Sequence, residues 1–388
     1  MSDFGISITN RQATPVSWPD IGPLAEKLRF TTVSPGGFGV CTFRLPADPD
    51  AALVAPPYLY PFNKVLLFAP RSVECIGAGR ITAARLHGGG QSRWWDVTVE
   101  GYGVALGDTI ISSLNVRNTE SSAAVLSAVT GIGEFDDLAI TATGFTFSNS
   151  ADITLRGMTA GAVLAFLSRF GDSGLNPQQW TVYPDSAGNI VFTWGPRPTT
   201  AAVEAYLSEF TSYEFGSQTR VLGNEADVLY NNGVSLASVS DTDLQAAGPD
   251  GFGLVRALAL TLPQLTDSAD ATQAANALLA ATSALRMSAT SLVATTQTNY
   301  YRPLVSGGSE PGTPLEPWRI RAGTLFRLRD VPTRSAPGTL AFTDSFTIVE
   351  TDYDEDSRTL RIIPESFDLL LERSVAQVRA LLSGRTSL

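Results

Sequence analysis

Side chains that move protons, attack carbon or hold metals are scarce in this chain. His87 is its only histidine. That removes sites needing two imidazoles and most histidine-based metal sets. His87 stands in Leu86-His87-Gly88-Gly89-Gly90, the lettering of a lipase oxyanion loop. Such a loop works only beside a G-x-S-x-G nucleophile elbow and a triad histidine, and the chain has neither. A glycine-rich hairpin tip carrying an exposed histidine is the expectation. Lys27 and Lys64 are the only lysines, and neither follows the glycines of a P-loop. Gly77-Ala78-Gly79 lacks the third glycine and the following helix of a dinucleotide-binding turn. Asp352, Asp354 and Asp356 begin like a calcium loop. Ser357 and Ile363 then replace the glycine and the bidentate glutamate that such a loop requires, so a solvated acidic turn is expected instead. Glu134, Asp136 and Asp137 would serve glycoside hydrolysis only if the fold set two of them at the right separation. Trp94 and Trp95 could stack on sugars, but Trp95 belongs to a core face. No catalytic, cofactor-binding or metal-binding residue is assigned, and the chain is read as a non-enzyme.

The elements that would position any such residues are mostly strands. Residues 1–30 hold Pro15, Pro19 and Pro23 with little periodicity, and read as an N-terminal arm with a short helix near Leu24–Leu28. Residues 31–107 are dense in strand signals: Phe38–Leu45, Lys64–Phe68, Val73–Ile76, and Trp95–Glu100 with its strict alternation. Period-2 alternation marks a half-buried strand, and short strands punctuated by glycine and proline suggest a small barrel or sandwich. Residues 108–150 are rich in Ser, Thr and Ala with weak strands. Thr159 caps an expected helix lined by Val163, Leu164, Phe166, Leu167 and Phe170 and ended by Gly171. Trp180–Tyr183 and Asn189–Trp194 then flank Pro184-Asp185-Ser186-Ala187-Gly188, good hairpin chemistry. Val203, Tyr206, Leu207 and Phe210 stand at helical spacing.

Strands resume around Val221-Leu222 and Val228–Tyr230, with Asn231-Asn232-Gly233 as a turn. A helix opens at Asp267 or Ser268 with Ala271, Ala274, Ala275, Leu278, Leu279 and Leu285 on one face. Trp318–Arg321, Thr324–Leu328, Phe346–Glu350 and Thr359–Ile363 read as strands. Phe367, Leu370, Leu371, Val375, Val378 and Leu382 form the stripe of a C-terminal helix. The fold class is mainly β with an α/β insert, α+β overall.

Hydrophobic residues make up 44% and charged residues 17% of the 388 positions, with a formal net charge of -11. An acidic chain is poorly suited to gripping nucleic-acid phosphates and better suited to a passage along which they slide. Cys41 and Cys75 read as small buried hydrophobes, with a bond between them left open. The first residues carry no export signal. No apolar run approaches the roughly 18 residues of a membrane span, so synthesis in a cytoplasm is expected.

The order of pieces carries a resemblance. Lys64-Val65-Leu66-Leu67-Phe68, Gly79-Arg80-Ile81 and Trp95 through Tyr102 come first, followed by the helix and hairpin of 159–194. Pro317 through Gly323, a strand through Asp330, and the pair Phe346–Glu350 and Thr359–Ile362 come later. Over most of the chain beyond residue 30 this is similar to the hub proteins of bacteriophage tail tips and baseplates and their relatives in contractile injection systems. The resemblance implies a first tube-like β-barrel domain at 31–125, an α/β insert at 126–216, and a second tube-like β-barrel domain at 217–363 with a helical insertion near 266–287. The arm at 1–30 and a C-terminal helix at 364–388 flank them. It further implies a homotrimeric ring of pseudo-sixfold symmetry in the virion, with no cofactor. Its partners would be the tail tube or distal tail protein, the tip or spike protein and the tape-measure protein, with DNA passing through unheld. The alternatives are another tail subunit, distal or receptor-binding, and a carbohydrate-active module.

Overall fold

The computed structural model describes residues 2–10, 15–18, 20–47, 55–89, 92–142, 144–148, 154–217, 223–246, 253–282, 287–294, 299–303, 312–331 and 345–365. The first unit contains β1 (Gly5–Thr9), β2 (Glu26–Val33), β3 (Gly36–Pro46), β4 (Lys64–Phe68), β5 (Cys75–Gly89) and β6 (Ser92–Gly101). They lie antiparallel in the order β1-β4-β5-β6-β3-β2. In β6 the alternation resolves as expected: Trp95, Val97 and Val99 are buried, while Asp96, Thr98 and Glu100 take the other face. The described residues of 1–30 pack into the first unit and do not form a separate arm. Phe4, Ile6 and Ile8 are buried along β1, which pairs with β4 from Gly5↔Phe68 to Thr9↔Lys64. Burying such side chains contributes about 1.5–3 kcal/mol each, enough to hold the segment in the sheet. The helix expected near Leu24–Leu28 is a single 3-10 turn, Gly22–Leu24, after which β2 alternates Leu28 and Phe30 inward.

The insert follows. It holds α1 (Ser121–Val129), β7 (Asp137–Ile140), α2 (Ala160–Leu167), β8 (Gln178–Pro184) and β9 (Ile190–Pro196). Thr159 caps α2 by accepting the Ala162 N–H, and Gly171 leaves its last turn at φ 65. β8 and β9 form the expected hairpin, paired from Gln178↔Pro196 to Pro184↔Ile190. Asp185 holds its turn by accepting the Ala187 and Asn189 N–H groups. The hairpin docks on the first unit where β8 runs parallel to β3 at Thr181↔Gly36 and Val182↔Gly37. Gly37 allows that approach: a Cβ there would lie 2.0 Å from the Val182 carbonyl oxygen.

Beyond the insert come β10 (Val203–Tyr206), β11 (Phe210–Ser217), β12 (Glu225–Tyr230), β13 (Ser235–Ser240), β14 (Ala257–Thr261), α3 (Ser268–Thr282), β15 (Met287–Ala294), β16 (Leu325–Arg329), β17 (Ser345–Asp354) and β18 (Thr359–Pro364). The helix expected from Val203 to Phe210 is strand β10 and a 3-10 turn. β10 is covered on both faces, so its sequence shows no alternation. Fully buried Glu204 is matched there by Arg329, whose Nε donates to Oε2 at 2.8 Å. Trp318 likewise sits in a 3-10 turn, Pro317–Arg319, opened by proline rather than in a strand. Val221-Leu222, Leu285 and the helix read over 364–388 fall outside the described residues, apart from Pro364 and Glu365.

Two cores organise these elements, and they do not follow the expected domain borders. One unites the insert with β12, β13, β14 and α3. Gln273 on α3 donates to the Phe170 and Asp172 carbonyls, and buried Asp270 accepts the Ser148 N–H at 3.1 Å. The described buried residues between 225 and 282 therefore pack in the core of the insert, not in the core shared by the β units. The other core runs without a break through both β units, from Phe4 and Val97 to Phe326 and Ile362. β17 makes it continuous. Its first residues pair with β16 (Phe326↔Phe346) and its last with β2, from Glu350↔Val33 to Asp354↔Arg29. A β-bulge against β18 between Ile348 and Glu350 marks the crossing. Among the described residues neither unit closes into a barrel, because β1 and β2 do not pair and β11 has a neighbour on one side only.

Candidate functional site

The residues singled out for chemistry are occupied in holding the sheet. His87 on β5 lies across from Trp94, their rings stacked at 6.0 Å. Its Nε2 is 3.2 Å from Asp96 Oδ2, while Arg44 donates to Asp96 Oδ1 at 3.1 Å and covers the Trp94 ring at 4.5 Å. Asp136 fastens β7 to the hairpin, accepting the Ile190 N–H at 2.7 Å and lying 3.6 Å from Lys64 Nζ. Asp137 accepts the Leu138 N–H. Asp352 and Asp354 are strand residues, not a solvated turn: Asp352 is chelated by Arg29, and Asp354 caps the turn by accepting the Ser357 N–H. Among the described residues no group of three or more His, Cys, Asp or Glu is placed to hold a metal ion. Cys41 and Cys75 are free and buried, and burial pushes the Cys41 thiol up to about 12 and the Cys75 thiol up to about 11.

The remaining candidate is the sheet itself. β5-β6-β3-β2-β17-β18-β15-β11 form one run of eight strands in which every neighbouring pair is antiparallel. One face belongs to the shared core. The other is polar and crosses the seam between the two units: Arg85, Asp96 and Arg44 stand in one row, and Thr31, Asp352 and Arg361 in another.

Both ends of the run are open. β4 has 5 residues against 15 in β5, so it covers only the first part of β5. From Thr82 to Gly89 the only strand beside β5 among the described residues is β6. At the far end β11 pairs, among the described residues, with β15 alone. Tyr213 there stands opposite buried Leu292, on the core side, yet is 53% exposed. The apolar layer is cut open at that edge. Open edges of this length are templates for another strand.

Polar contacts reinforce the seam between the two units. Arg319 grips Glu74 with two bonds, Nη1 to Oε1 at 2.7 Å and Nη2 to Oε2 at 2.6 Å. Thr32 accepts the Ala322 N–H and bonds Thr351 at 2.6 Å. Tyr183 donates to the Ala322 carbonyl and lies under Arg321 at 4.7 Å, and Gln179 donates to the Gly323 carbonyl. Burial pushes the Tyr183 hydroxyl up to about 12, which keeps it a donor at this joint.

This long sheet with a laterally packed insert can be compared with known proteins. No protein-family model and no curated protein sequence matches the chain. Solved structures do. The 43 kDa tail protein of prophage MuSo2 from Shewanella oneidensis superposes with a TM-score of 0.54 at 14% identity, covering 94% of this chain and 98% of that one. The chain has a phage tail-protein fold. The tail protein from Neisseria meningitidis MC58 gives 0.54 at 12% identity over 94% of this chain and 97% of that one. Prophage tail protein gp18 from Listeria monocytogenes EGD-e gives 0.51 at 11% identity over 98% and 99%. The tail-protein fold thus spans nearly the whole chain, insert included, and the sheet run lies within it.

Proposed function

We propose that this chain is a structural subunit of a phage tail tip or baseplate, a hub whose three copies close into a ring around a passage for DNA. The observation that carries the reading is the open-ended run of eight antiparallel strands. An even number of alternating strands leaves the first and last running in opposite directions, so β11 of one copy meets β5 of the next antiparallel. Such a join is heterologous, using two different edges, and heterologous joins close into a ring when the rotation between copies closes. The tail-protein fold supports the setting.

Spacing favours three copies. Strands lie about 4.8 Å apart, so 16 strands from two copies span roughly 24 Å from backbone to backbone and 24 strands from three copies roughly 37 Å, more with tilt. After side chains are allowed for, the first is too narrow for a nucleic-acid duplex and the second admits one. Within each copy the two β units supply four strands each, which gives the ring pseudo-sixfold character. The insert core would then decorate the outside. The tail tube or distal tail protein, the tip or spike and the tape-measure protein are the neighbours of such a ring.

Native mass measurement with negative-stain imaging, at high protein concentration, tests this. A three-membered ring with a central hole is expected for the wild-type chain. Tyr213→Lys places a charge at the open apolar edge, a device that blocks strand addition, and is expected to give folded monomers. A six-membered ring would make the chain a tube-like or distal subunit instead. Rings that survive Tyr213→Lys unchanged would show that β11 is not the joining edge.

A further inference from the structure

The polar face of the run holds a contradiction for a passage that DNA slides along. It is not a simple acidic lining. Arg29, Arg44, Arg80, Arg85 and Arg361 all lie on it, and arginine is the side chain best suited to hold a phosphate. Arg29, Arg44 and Arg80 are nevertheless bonded to a carboxylate, and Arg85 and Arg361 each stand opposite one. Arg29 chelates Asp352, with Nε to Oδ1 at 2.7 Å. Arg44 donates to Asp96. Arg80 bonds Asp108 and stands opposite Glu100. Arg85 stands opposite Asp96, and Arg361 opposite Asp352. The cations are thus interleaved with acids strand by strand and not gathered in a patch.

We infer that Asp96, Glu100, Asp352 and Asp354 act as screens: bonded to the arginines of this face or set directly opposite them, they keep a cation-rich surface from binding nucleic-acid phosphate. The inference rests on the hub reading for its biological setting, but the physical property belongs to the single chain. A phosphate approaching Arg29 must displace a two-point carboxylate contact already in place and meets Asp354 directly across from it. Affinity for duplex DNA grows with the number of phosphates neutralised and falls with salt accordingly. Screened arginines neutralise none.

The test uses the full chain and a labelled 30-base-pair DNA duplex, followed by fluorescence anisotropy at low salt. The screened-face variant is Asp96→Asn, Glu100→Gln, Asp352→Asn, Asp354→Asn. A control of equal net charge neutralises Glu225, Asp227, Asp243 and Asp137, away from this face. Wild type and control are expected to show no saturable binding. The face variant is expected to bind at least about tenfold more tightly, with an affinity that falls steeply as salt rises. Binding by the control as strong as by the face variant would overturn the inference, as would wild-type binding or a face variant that stays inert. If the fourfold variant unfolds, Asp96→Asn with Glu100→Gln alone carries the same expectation at Arg44 and Arg85. The assay reads single chains, so a failed ring measurement would overturn the hub reading while leaving this result to stand or fall alone.

Discussion

Ile348 is the place to break the seam. It lies on β17 beside the bulge, is completely buried, and belongs to the core shared by both units. Ile348→Ala removes three carbons from that site. Transfer alone accounts for about 0.8 kcal/mol per buried carbon, and the cavity left behind raises the total to about 3–4 kcal/mol. If the two β units are one cooperative body, the loss must appear on both sides of the seam. The assay is native-state hydrogen exchange read by mass spectrometry on peptides covering 92–101 in the first unit and 287–294 in the second. Global opening in both is expected to become easier by the same amount, a few hundredfold in exchange rate where exchange follows global unfolding. The urea midpoint should fall with an unchanged slope. Faster exchange confined to 287–294, with 92–101 as protected as before, would refute the single-body account and restore two separate domains.

Three further outcomes follow. Asp352→Lys should cost about 1–3 kcal/mol by leaving Arg29 beside a like charge, whereas Asp356→Lys at the exposed tip should be neutral; equal melting temperatures for both would return Asp352 to a solvated turn. Burial raises the Asp270 pKa. Its folded value therefore lies above its unfolded one, and the associated stability is present at low pH and lost as pH rises through the folded value. Asp270→Asn is accordingly expected to raise the urea midpoint at neutral pH, with the gain disappearing below about pH 4; a gain independent of pH would contradict this. Cys41 and Cys75, with thiols pushed up to about 12 and about 11 by burial, should react with an aromatic disulfide reagent only at the rate of unfolding, and fast labelling of the native chain would show otherwise.

What the sequence made legible was local. The alternation of Trp95–Glu100, the Thr159 cap with its Gly171 stop, the Asp185 turn and the Ala-rich face of α3 are short-range patterns whose physics acts within a few residues. Phe4, Ile6 and Ile8 carry the same period-2 signal, but over a run of only five residues in β1, too short to outweigh Pro15, Pro19 and Pro23. β10 misled because a strand buried on both faces has no alternation, and Val203, Tyr206 and Phe210 happen to fall at helical spacing. The pairing of Arg29 with Asp354 and the docking of residues 225–282 onto the insert leave no local trace. They follow from which surfaces meet, and neither periodicity nor turn chemistry reports that. The candidate surface was hidden for a related reason: an edge is defined by what lies beside a strand, and Thr82–Gly89 reads like any other half-buried run.

The long reach of the seam also sets a schedule for making the protein. Arg29 and Asp352 are separated by 323 positions. At ribosomal speeds of about 5–20 residues per second, β2 waits roughly 15–65 s for the strand that completes it. Throughout that interval the β2 edge of the nascent first unit lacks its partner strand. Its contact order is high, so folding completes only near the end of synthesis. Arg29 and Lys27, charged and exposed on that waiting strand, are gatekeepers of the kind that discourage premature pairing between nascent neighbours.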